Sequence, residues 1–279
     1  MKIFEAINFG KDSLKNLNIG KIEIEKILIE SIKKDRLYII LNQEKSISED
    51  NLTKFKYLIS RRKNGEPLEY ILNRVSFYSE EFFIQKGALI PRPETELLID
   101  KTVETLKKLK NPKVLEIGVG SGIISVMLAK LIPDIKIVAV DVSLEALNIS
   151  KINIEKFGVS EKIELRQSDL FENLDKNEKF DLIVSNPPYI SNSEKGKLQT
   201  ELDYEPEIAL YGGNIGDEIL QKIVTSFLSK TETKYLICEM GYDQKEKIIN
   251  FVDNKTRIEF YRDLAEFDRG FILTKIKDI

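Results

Sequence analysis

A glycine-rich turn interrupts the stretch Lys113-Val114-Leu115-Glu116-Ile117-Gly118-Val119-Gly120-Ser121-Gly122. The apolar run ahead of the glycines is short and branched, which predicts a buried strand over residues 113–118. The apolar residues that follow predict a helix over residues 122–131. Glycines between a strand and a helix permit a tight turn and let the backbone approach a ligand closely. The stretch therefore predicts a strand–turn–helix unit with a ligand-binding turn.

Alternation of strand and helix continues on the C-terminal side of this unit. The predicted strands cover residues 135–141, 162–166, 180–185, 234–240, 258–262 and 270–275, and the predicted helices cover residues 144–157, 217–228 and 244–251. This alternation is typical of a mostly parallel sheet with helices on both faces. The last two strands have no room for a helix between them, so we expect them to pair antiparallel. The sequence predicts an α/β fold with a seven-stranded, mostly parallel sheet.

Residues 1–75 show no strand-like alternation and predict a small helical bundle. Six branched residues recur at spacings compatible with one helix face: Ile22, Ile24, Ile27, Leu28, Ile29 and Ile32. Another helix is predicted to begin after Ser46-Ile47-Ser48, where serine precedes two acids, and to end near Asn64-Gly65.

Residues 75–93 change in character and predict a β-hairpin. Its strands are expected at residues 75–78 and 82–84, with the turn at residues 79–81. A helix then opens near Pro91-Arg92-Pro93-Glu94 and runs to about residue 108. The predicted organisation is a helical domain at residues 1–74, a hairpin linker at residues 75–93 and an α/β domain at residues 94–279.

Composition excludes several kinds of site. The 279 residues include one cysteine and no histidine, which excludes His/Cys zinc sites, Ser-His-Asp triads and Cys-His dyads, and we expect no metal. Cys238 stands in an apolar run and is expected to be buried. A single cysteine allows no disulfide within the chain, so a reducing compartment, the cytoplasm, is the favoured location.

Charge and hydropathy exclude further partners. Residues 1–75 carry 15 Lys and Arg against 11 Asp and Glu, and the rest of the chain carries 28 against 35. Neither balance is typical of a nucleic-acid-binding surface, so we expect no direct nucleic-acid partner. No apolar stretch approaches the ~18 residues that a membrane span requires, and the first residues lack a signal peptide's apolar core. We expect a monomer that binds no membrane.

The glycine spacing indicates the kind of ligand. It is G-x-G-x-G, without a P-loop lysine, over Gly118, Val119, Gly120, Ser121 and Gly122. Dinucleotide-binding and triphosphate-binding loops have different patterns. Together with the acid Glu116 two positions earlier, this loop resembles the S-adenosylmethionine-binding loop of class I methyltransferases. The resemblance implies S-adenosylmethionine as the cofactor.

Two further acids follow neighbouring strands. Asp141 ends the next predicted strand, where a carboxylate is placed to accept hydrogen bonds from both hydroxyls of a ribose. Its other role, capping the next helix, is better filled by Ser143. After the third strand, Asp169 is placed to accept from an adenine amino group, and Leu170 or Phe171 to cover the ring.

The fourth predicted strand ends abruptly at Asn186-Pro187-Pro188-Tyr189, because proline donates no hydrogen bond to a sheet. Taken alone, the motif is equally compatible with a stiff turn that only ends the strand. In class I methyltransferases, which the glycine loop resembles, this motif implies methyl transfer to a planar NH2 group. The Asn186 side chain and the Pro187 carbonyl would accept hydrogen bonds from that group, and Tyr189 would lie against its flat face.

Further segments resemble one family within this class. They are residues 61–72, Leu89-Ile90-Pro91-Arg92-Pro93-Glu94-Thr95-Glu96, residues 204–210 with Gly212-Gly213, and residues 263–269, in which Glu266 replaces the family's usual glycine. With the glycine loop, Asp141 and residues 186–189, they make the chain similar to the HemK/PrmC family. That family comprises the protein-(glutamine-N5) methyltransferases of peptide chain release factors, which act in translation termination.

The resemblance implies methylation of the glutamine in the release factors' Gly-Gly-Gln motif. It implies that the methyl donor is held by Gly118, Val119, Gly120, Ser121, Gly122, Asp141, Asp169, Leu170 and Asn186. It implies that the target glutamine is held by Asn186, Pro187, Pro188 and Tyr189, with Asn186, Pro187 and Tyr189 catalytic. The helical domain at residues 1–74 would dock the release factor.

Three alternatives remain open from the sequence. A glutamine methyltransferase of a large-subunit ribosomal protein shares the chemistry, although its segment corresponding to residues 91–96 differs. DNA adenine-N6 and rRNA guanine-N2 methyltransferases share Asn-Pro-Pro-Tyr, but their substrates call for a basic surface that the acidic C-terminal part lacks. A non-catalytic S-adenosylmethionine-binding adaptor would not need paired acceptors for an NH2 group.

Overall fold

The computed structural model of the chain describes residues 1–17, 19–175 and 177–276, apart from the side chain of Lys230. By their internal contacts these residues form two compact units. The first consists of residues 1–74 together with residues 199–204, and the second contains the other described residues from 75 onward. The segment 199–204 thus joins a unit that is distant from it in sequence.

The first unit is a helical bundle, as predicted. Its helices are α1 (Ile3–Leu14), α2 (Lys21–Ile32), α3 (Arg36–Leu41), α4 (Glu49–Lys63) and α5 (Leu68–Leu72). Ser48 caps α4 by accepting from the Asn51 N–H, and Gly65 follows the helix with a left-handed φ of 94°. Ile24, Ile27 and Leu28 are buried in the bundle core. The prediction was wrong for Ile22, whose side chain is 59% exposed.

An arginine on α4 holds the bundle together around its C-terminal end. The Arg62 guanidinium is buried and donates to the Glu23 carboxylate at 3.0 Å and to the Glu66 carbonyl at 3.2 Å. It also donates to Glu201, in the segment that joins this unit from far along the chain. Because a buried charge without partners is costly, these bonds keep Arg62, α2 and residues 199–204 together.

A β-hairpin follows, formed by β1 (Arg74–Phe77) and β2 (Glu80–Phe83). Its turn is Tyr78-Ser79, where φ is 54° and 61°, and not residues 79–81 as predicted. Two consecutive positive φ angles are the geometry of a two-residue hairpin turn. The Tyr78 N–H donates to the Glu96 carboxylate at 2.7 Å, so a tertiary contact fixes Tyr78 in the turn.

The second unit alternates strands and helices. Its first half contains α6 (Thr95–Leu106), β3 (Lys113–Ile117), α7 (Ile123–Leu131), β4 (Lys136–Asp141), α8 (Leu144–Lys156), β5 (Ile163–Gln167) and β6 (Leu182–Ser185). Its second half contains β7 (Ile190–Ser191), α9 (Glu207–Leu210), β8 (Tyr211–Gly213), α10 (Glu218–Lys230), β9 (Tyr235–Glu239), α11 (Lys245–Phe251), β10 (Thr256–Arg262) and β11 (Asp268–Lys275).

Seven of these strands form one sheet in the order β10-β11-β9-β6-β3-β4-β5. The five strands from β9 to β5 are parallel, and β11 is antiparallel to both of its neighbours. The predicted seven-stranded, mostly parallel sheet with an antiparallel final pair is confirmed. The short parallel pair of β7 and β8 was not predicted, because two-residue and three-residue strands leave no periodic pattern.

β6 is buried along its whole length, and β3 and β9 are buried after their first residue. Cys238 lies on β9 in the main core with Leu236 and Phe271, as expected for a small hydrophobic residue, and burial raises the pKa of its thiol. No helix within the described ranges is long and apolar enough to cross a membrane.

Candidate active site

Three neighbouring strands end side by side at one edge of the sheet. Ile117 at the end of β3 pairs with Val140 of β4 on one side and with Ser185 of β6 on the other. The glycine loop, Asp141 and Asn186 therefore begin at the same level. The chain runs from β3 to β4 and β5 on one side and resumes with β6 on the other. Such a switch point opens a crevice at the carboxyl ends of the strands, where ligands bind.

The glycine loop is held by hydrogen bonds to the end of β4. The N–H groups of Gly118 and Val119 donate to the Val140 carbonyl at 2.9 and 3.0 Å, and that of Gly120 donates to Asp141 Oδ2 at 3.0 Å. Gly118 and Gly120 have φ of 77° and 54°. A Cβ added to either glycine would meet no atom within 4 Å, so open space lies over both. This loop is a cradle that a ligand can fill.

The strand ends surround a cavity of about 290 Å³. Ten of the twelve site residues predicted from the sequence line it: Gly118, Val119, Gly120, Ser121, Asp141, Asp169, Leu170, Asn186, Pro187 and Pro188. We call Gly118–Ser121 with Asp141 the glycine wall, and Asn186–Pro188 with Thr95 the asparagine wall. The volume lies at the lower edge of the roughly 300–1,000 Å³ usual for small-molecule sites.

Asp141 connects the glycine loop to the next helix. Its carboxylate accepts from the N–H of Gly120 at Oδ2 and from the N–H of Ser143 at Oδ1, at 3.0 and 2.9 Å. Each carboxylate oxygen keeps a lone pair for a ligand hydroxyl. Burial raises the pKa of Asp141, against the opposing effect of these backbone hydrogen bonds. Ser143 caps α8 by accepting from the Ala146 N–H at 3.2 Å, as predicted.

The loop after β5 brings Leu170, and not Phe171, to the cavity. Leu170 has a left-handed φ of 49°, and its carbonyl accepts from Ser168 Oγ at 3.1 Å. Phe171 packs against the main core and lies outside the cavity lining. Asp169 is exposed at the rim. Of the two residues between which the sequence left the choice open, Leu170 lines the cavity and Phe171 does not.

Gly122 and Tyr189 lie outside the cavity lining, for different reasons. Gly122 begins α7 with φ of 81°, and a Cβ there would lie 2.9 Å from Ser150 Cβ on α8, so this glycine serves helix packing. Tyr189 turns away from the lining, and its carbonyl accepts from Gln244 Nε2 at 3.4 Å. Burial raises the pKa of the Tyr189 phenol to about 12, so it is neutral at physiological pH.

Two further segments also line the cavity, and neither was assigned a site role from the sequence. They contribute Gly87, Ala88, Leu89, Pro91 and Thr95 ahead of and within α6, and Pro206, Ile208, Ala209 and Tyr211 around α9. Glu205 joins the two segments, because its buried carboxylate accepts from the Ile90 N–H at 2.8 Å and from the Arg92 guanidinium. The family resemblance of both segments was the only sign in the sequence that they belong to the site. Their pairing could not be predicted, because it is a tertiary contact.

Glu116 is a buried carboxyl on β3 behind the glycine wall. Ser125 Oγ donates to its Oε2, while Oε1 has no hydrogen-bond partner among the described residues. Burial raises the pKa of Glu116 to about 8, so the carboxyl is mostly protonated at neutral pH. A buried polar atom without a hydrogen-bond partner is uncommon in folded proteins.

The fold and the cavity define the class of protein. A mostly parallel seven-stranded sheet with a G-x-G-x-G loop at its switch point is that of a class I methyltransferase. Consistently, the family model for the methyltransferase small domain matches residues 94–202. The family model for the PrmC N-terminal domain matches residues 5–72.

Relatives define the family more closely. The release factor glutamine methyltransferase of Clostridium acetobutylicum is 35% identical over 276 residues, which cover 96% of this chain and 97% of that protein. The release factor glutamine methyltransferase of Dictyoglomus turgidum is 38% identical over 271 residues, which cover 95% of each. The chain belongs to the release factor glutamine methyltransferase family.

Solved structures share the fold at low identity. The catalytic domain of hMettl16, solved in complex with the MAT2A 3′UTR hairpin 6, matches with a TM-score of 0.57 and 18% identity. The match covers 71% of this chain and 76% of that chain. It shows that this chain shares the fold of that catalytic domain.

S-adenosylmethionine is the methyl donor of this family, and the cavity fits it. The open space over Gly118 and Gly120 lets a ligand come into close contact with the backbone of the loop. Asp141 has lone pairs free for ribose hydroxyls, and Leu170 offers an apolar surface for a ring. Among the described residues, no group of His, Cys, Asp and Glu side chains is arranged to hold a metal ion.

Proposed function

We propose that this protein methylates the side-chain amide nitrogen of the glutamine in the Gly-Gly-Gln motif of peptide chain release factors. One observation carries the proposal. The glycine loop and Asn186 directly follow paired positions of adjacent strands, Ile117 and Ser185, and the two walls line one cavity. A methyl donor on the first wall and an NH2 group on the second would meet inside it. The names of the relatives support a release factor as the substrate.

Asn186 and Pro187 have the chemistry that a glutamine amide requires. The lone pair of an amide nitrogen is delocalised, so the nitrogen is a poor nucleophile and must be well oriented. The Asn186 side-chain oxygen and the Pro187 carbonyl would each accept one hydrogen of the NH2 group. Both acceptors interact more strongly as positive charge develops on nitrogen, which favours the transition state over the ground state.

When bound, S-adenosylmethionine supplies an electrophilic methyl carbon attached to a positively charged sulfur. Gly118, Gly120 and Asp141 would hold this donor, and Asn186 and Pro187 would hold the glutamine nitrogen that takes its methyl group, with the electron pair of the carbon–sulfur bond left on sulfur. The alkylated nitrogen is strongly acidic, so its proton passes to water and no strong base is needed. The chain, which has no histidine, can therefore carry out the step.

Glu205 and Tyr189 support the substrate side of the cavity. Through Ile90 and Arg92, Glu205 fixes the segment that leads into α6. Tyr189 lies outside the cavity lining, and its carbonyl, which accepts from Gln244 Nε2, anchors the chain directly after the prolines. We further propose that the helical domain at residues 1–74 docks the release factor, and that the reaction takes place in the cytoplasm.

The experiment is a transfer assay with isotope-labelled methyl donor and four acceptors in parallel. They are a release factor, its Gln→Ala variant in the Gly-Gly-Gln motif, a large-subunit ribosomal protein preparation, and ribosomal RNA with DNA. Label is expected only in the unaltered release factor. Equal labelling of the Gln→Ala variant, or transfer to ribosomal protein or nucleic acid instead, would refute the proposed substrate.

A further inference from the structure

A buried carboxylate stands behind the asparagine wall and reaches it through one hydroxyl. Asn186 Nδ2 donates to Thr95 Oγ1 at 3.1 Å, and Thr95 Oγ1 donates to Glu239 Oε2 at 2.8 Å. Thr95 is 1% exposed and Glu239 is 3% exposed. Thr95 and Asn186 line the cavity, whereas Glu239 does not. The three side chains form a chain of hydrogen bonds from the end of β9 to the cavity.

The chemistry of these groups gives the chain a direction. An ionised carboxylate only accepts hydrogen bonds, so the single hydroxyl hydrogen of Thr95 must go to Glu239. The Thr95 oxygen then has only lone pairs left for Asn186, and only the NH2 end of the Asn186 amide can bind to it. With its NH2 end occupied, the amide presents its oxygen on the opposite side.

We propose that Glu239, acting through Thr95, is a positioning residue that holds the Asn186 amide with its oxygen toward the substrate NH2 group. The inference rests on the proposed methyl transfer to an amide nitrogen. An Asn186 turned by half a rotation would point hydrogens at the substrate's hydrogens and accept nothing. Thr95 and Glu239 thus select the productive orientation of the Asn186 amide, whose two ends have nearly the same shape.

Several charged or titratable groups face Glu239 from the elements packed around it. They are Glu94 ahead of α6, Tyr189 after β6, Tyr261 on β10 and Arg269 on β11. Burial raises the pKa of Glu239 to about 7, and Glu94 acts in the same direction. Hydrogen bonding from Thr95 and from the Asn186 side chain, together with the positive charge of Arg269, opposes the increase.

When Glu239 is protonated, the hydrogen bonds that link it to Thr95 and Asn186 can run in either direction. A protonated carboxyl donates to the Thr95 oxygen, which frees the Thr95 hydroxyl to donate to the Asn186 oxygen. The flipped amide then becomes as well bonded as the productive one. Ionised Glu239 predominates above a pH of about 7, so the orientation is enforced above this pH and relaxed below it.

The first test needs no substrate. In NMR spectra of protein with isotope-labelled asparagine, the side-chain NH2 signals of Asn186 should shift with pH, with a midpoint near 7. The shift should vanish in Glu239→Gln and persist in Glu104→Gln, an exposed acid on α6. A titration that is absent in the wild type, or unchanged in Glu239→Gln, would overturn the inference.

The second test separates positioning from simple packing. In Glu239→Gln and Thr95→Val, kcat should fall by roughly tenfold or more, because a misoriented acceptor group costs much of its effect. Donor affinity should stay close to wild type, Thr95→Ser should restore kcat, and Glu239→Gln should lose the decline of kcat below a pH of about 7. A wild-type kcat in Thr95→Val, or an unchanged pH profile in Glu239→Gln, would overturn the inference.

The two tests distinguish failure of this inference from failure of the proposed function. If wild-type protein methylates no release factor, the transfer assay fails while the NMR titration still reports the orientation of Asn186. If transfer occurs but the NMR signals and the pH profile are the same in wild type and Glu239→Gln, the methyl-transfer function stands and the positioning role is wrong.

Discussion

The two walls of the cavity are held in shape by different means. The glycine wall is fixed by backbone N–H groups that bind the end of β4 and the Asp141 carboxylate. The asparagine wall depends on side chains, since Thr95 and Glu239 hold Asn186. The backbone hydrogen bonds from Gly118 and Val119 to Val140 are the same in any protonation state, whereas the direction of the hydrogen bonds that hold Asn186 depends on the charge of Glu239. We therefore expect changes in the first wall to alter donor binding, and changes in the second to alter turnover.

The largest effect is expected for Asn186→Ala, in the asparagine wall. Removing an acceptor that acts on developing charge should lower kcat by roughly 10²–10³-fold. Donor affinity, measured by titration calorimetry, should remain largely intact because the glycine wall is untouched. Asn148→Ala, at an exposed position on α8, is the matched control. Loss of folding in Asn186→Ala would instead assign the motif a structural role and break the division between the walls.

The next effect is expected for Asp141→Ala, in the glycine wall. The variant loses a carboxylate that holds the Gly120 N–H and is placed for ribose hydroxyls. Hydrogen bonds to charged groups contribute about 1.5–3 kcal/mol, so the donor Kd should rise by roughly 10–100-fold. At saturating donor, kcat should be affected far less than in Asn186→Ala. Asp134→Ala, an exposed acid before β4, is the control, and an unchanged donor Kd would contradict this assignment.

A smaller effect separates two glycines of the same loop. Both Gly118 and Gly122 have left-handed φ angles, so alanine costs about 1–2 kcal/mol at either position. A Cβ at Gly118 enters open cavity space, whereas one at Gly122 meets Ser150 at 2.9 Å. Thermal unfolding should show Gly122→Ala as the less stable variant, and calorimetry should show Gly118→Ala as the weaker donor binder. The reverse ranking would contradict the assignment of Gly118 to the donor site and of Gly122 to helix packing.

The smallest effect on activity is expected for the carboxyl behind the glycine wall. The pKa of Glu116 is about 8 in the folded protein, above its value of 4.5 when exposed. Protonated Glu116 favours the folded state. Its contribution to the free energy of unfolding is therefore complete below a pH of about 4.5 and is lost as the pH rises through about 8. Glu116→Gln should flatten this part of the pH dependence of the free energy of unfolding, by about 1 kcal/mol or more at the alkaline end.

Denaturant titrations at several pH values would measure this change. Glu172→Gln, an exposed acid in the loop after β5, is the matched control and should follow the wild type. Donor binding at neutral pH should change little in Glu116→Gln, because glutamine keeps a polar group of similar shape. An identical pH dependence in Glu116→Gln and wild type would show that Glu116 does not titrate in this range.

The same difference between the walls explains what could be predicted from sequence. The glycine wall lies within one strand–helix–strand unit, residues 113–141, so spacing alone placed its members. The mostly parallel sheet followed from the alternation of strand and helix, whereas the strand order, which brings Asn186 next to the glycine loop, was seen only in the structure. Local patterns are sufficient when the residues of a site are carried by consecutive elements.

The asparagine wall could be predicted only in part. Asn186 was marked by the prolines after it, but Thr95 lies 91 positions earlier and Glu239 lies 144 positions from Thr95. Such pairings depend on which segments pack together, and no local spacing encodes them. The prediction of the hairpin turn was wrong for the same reason. A contact between Tyr78 and Glu96, which are distant in sequence, fixes Tyr78 in the turn.

Mass spectrometry of a digested release factor tests the central claim most directly. After incubation with S-adenosylmethionine, the peptide with the Gly-Gly-Gln motif should gain the mass of one methylene group, and fragmentation should place it on the glutamine side-chain nitrogen. The gain should be absent with the Asn186→Ala variant. A methyl group on any other residue, or an unmodified glutamine after incubation with folded, donor-binding wild-type protein, would contradict the account.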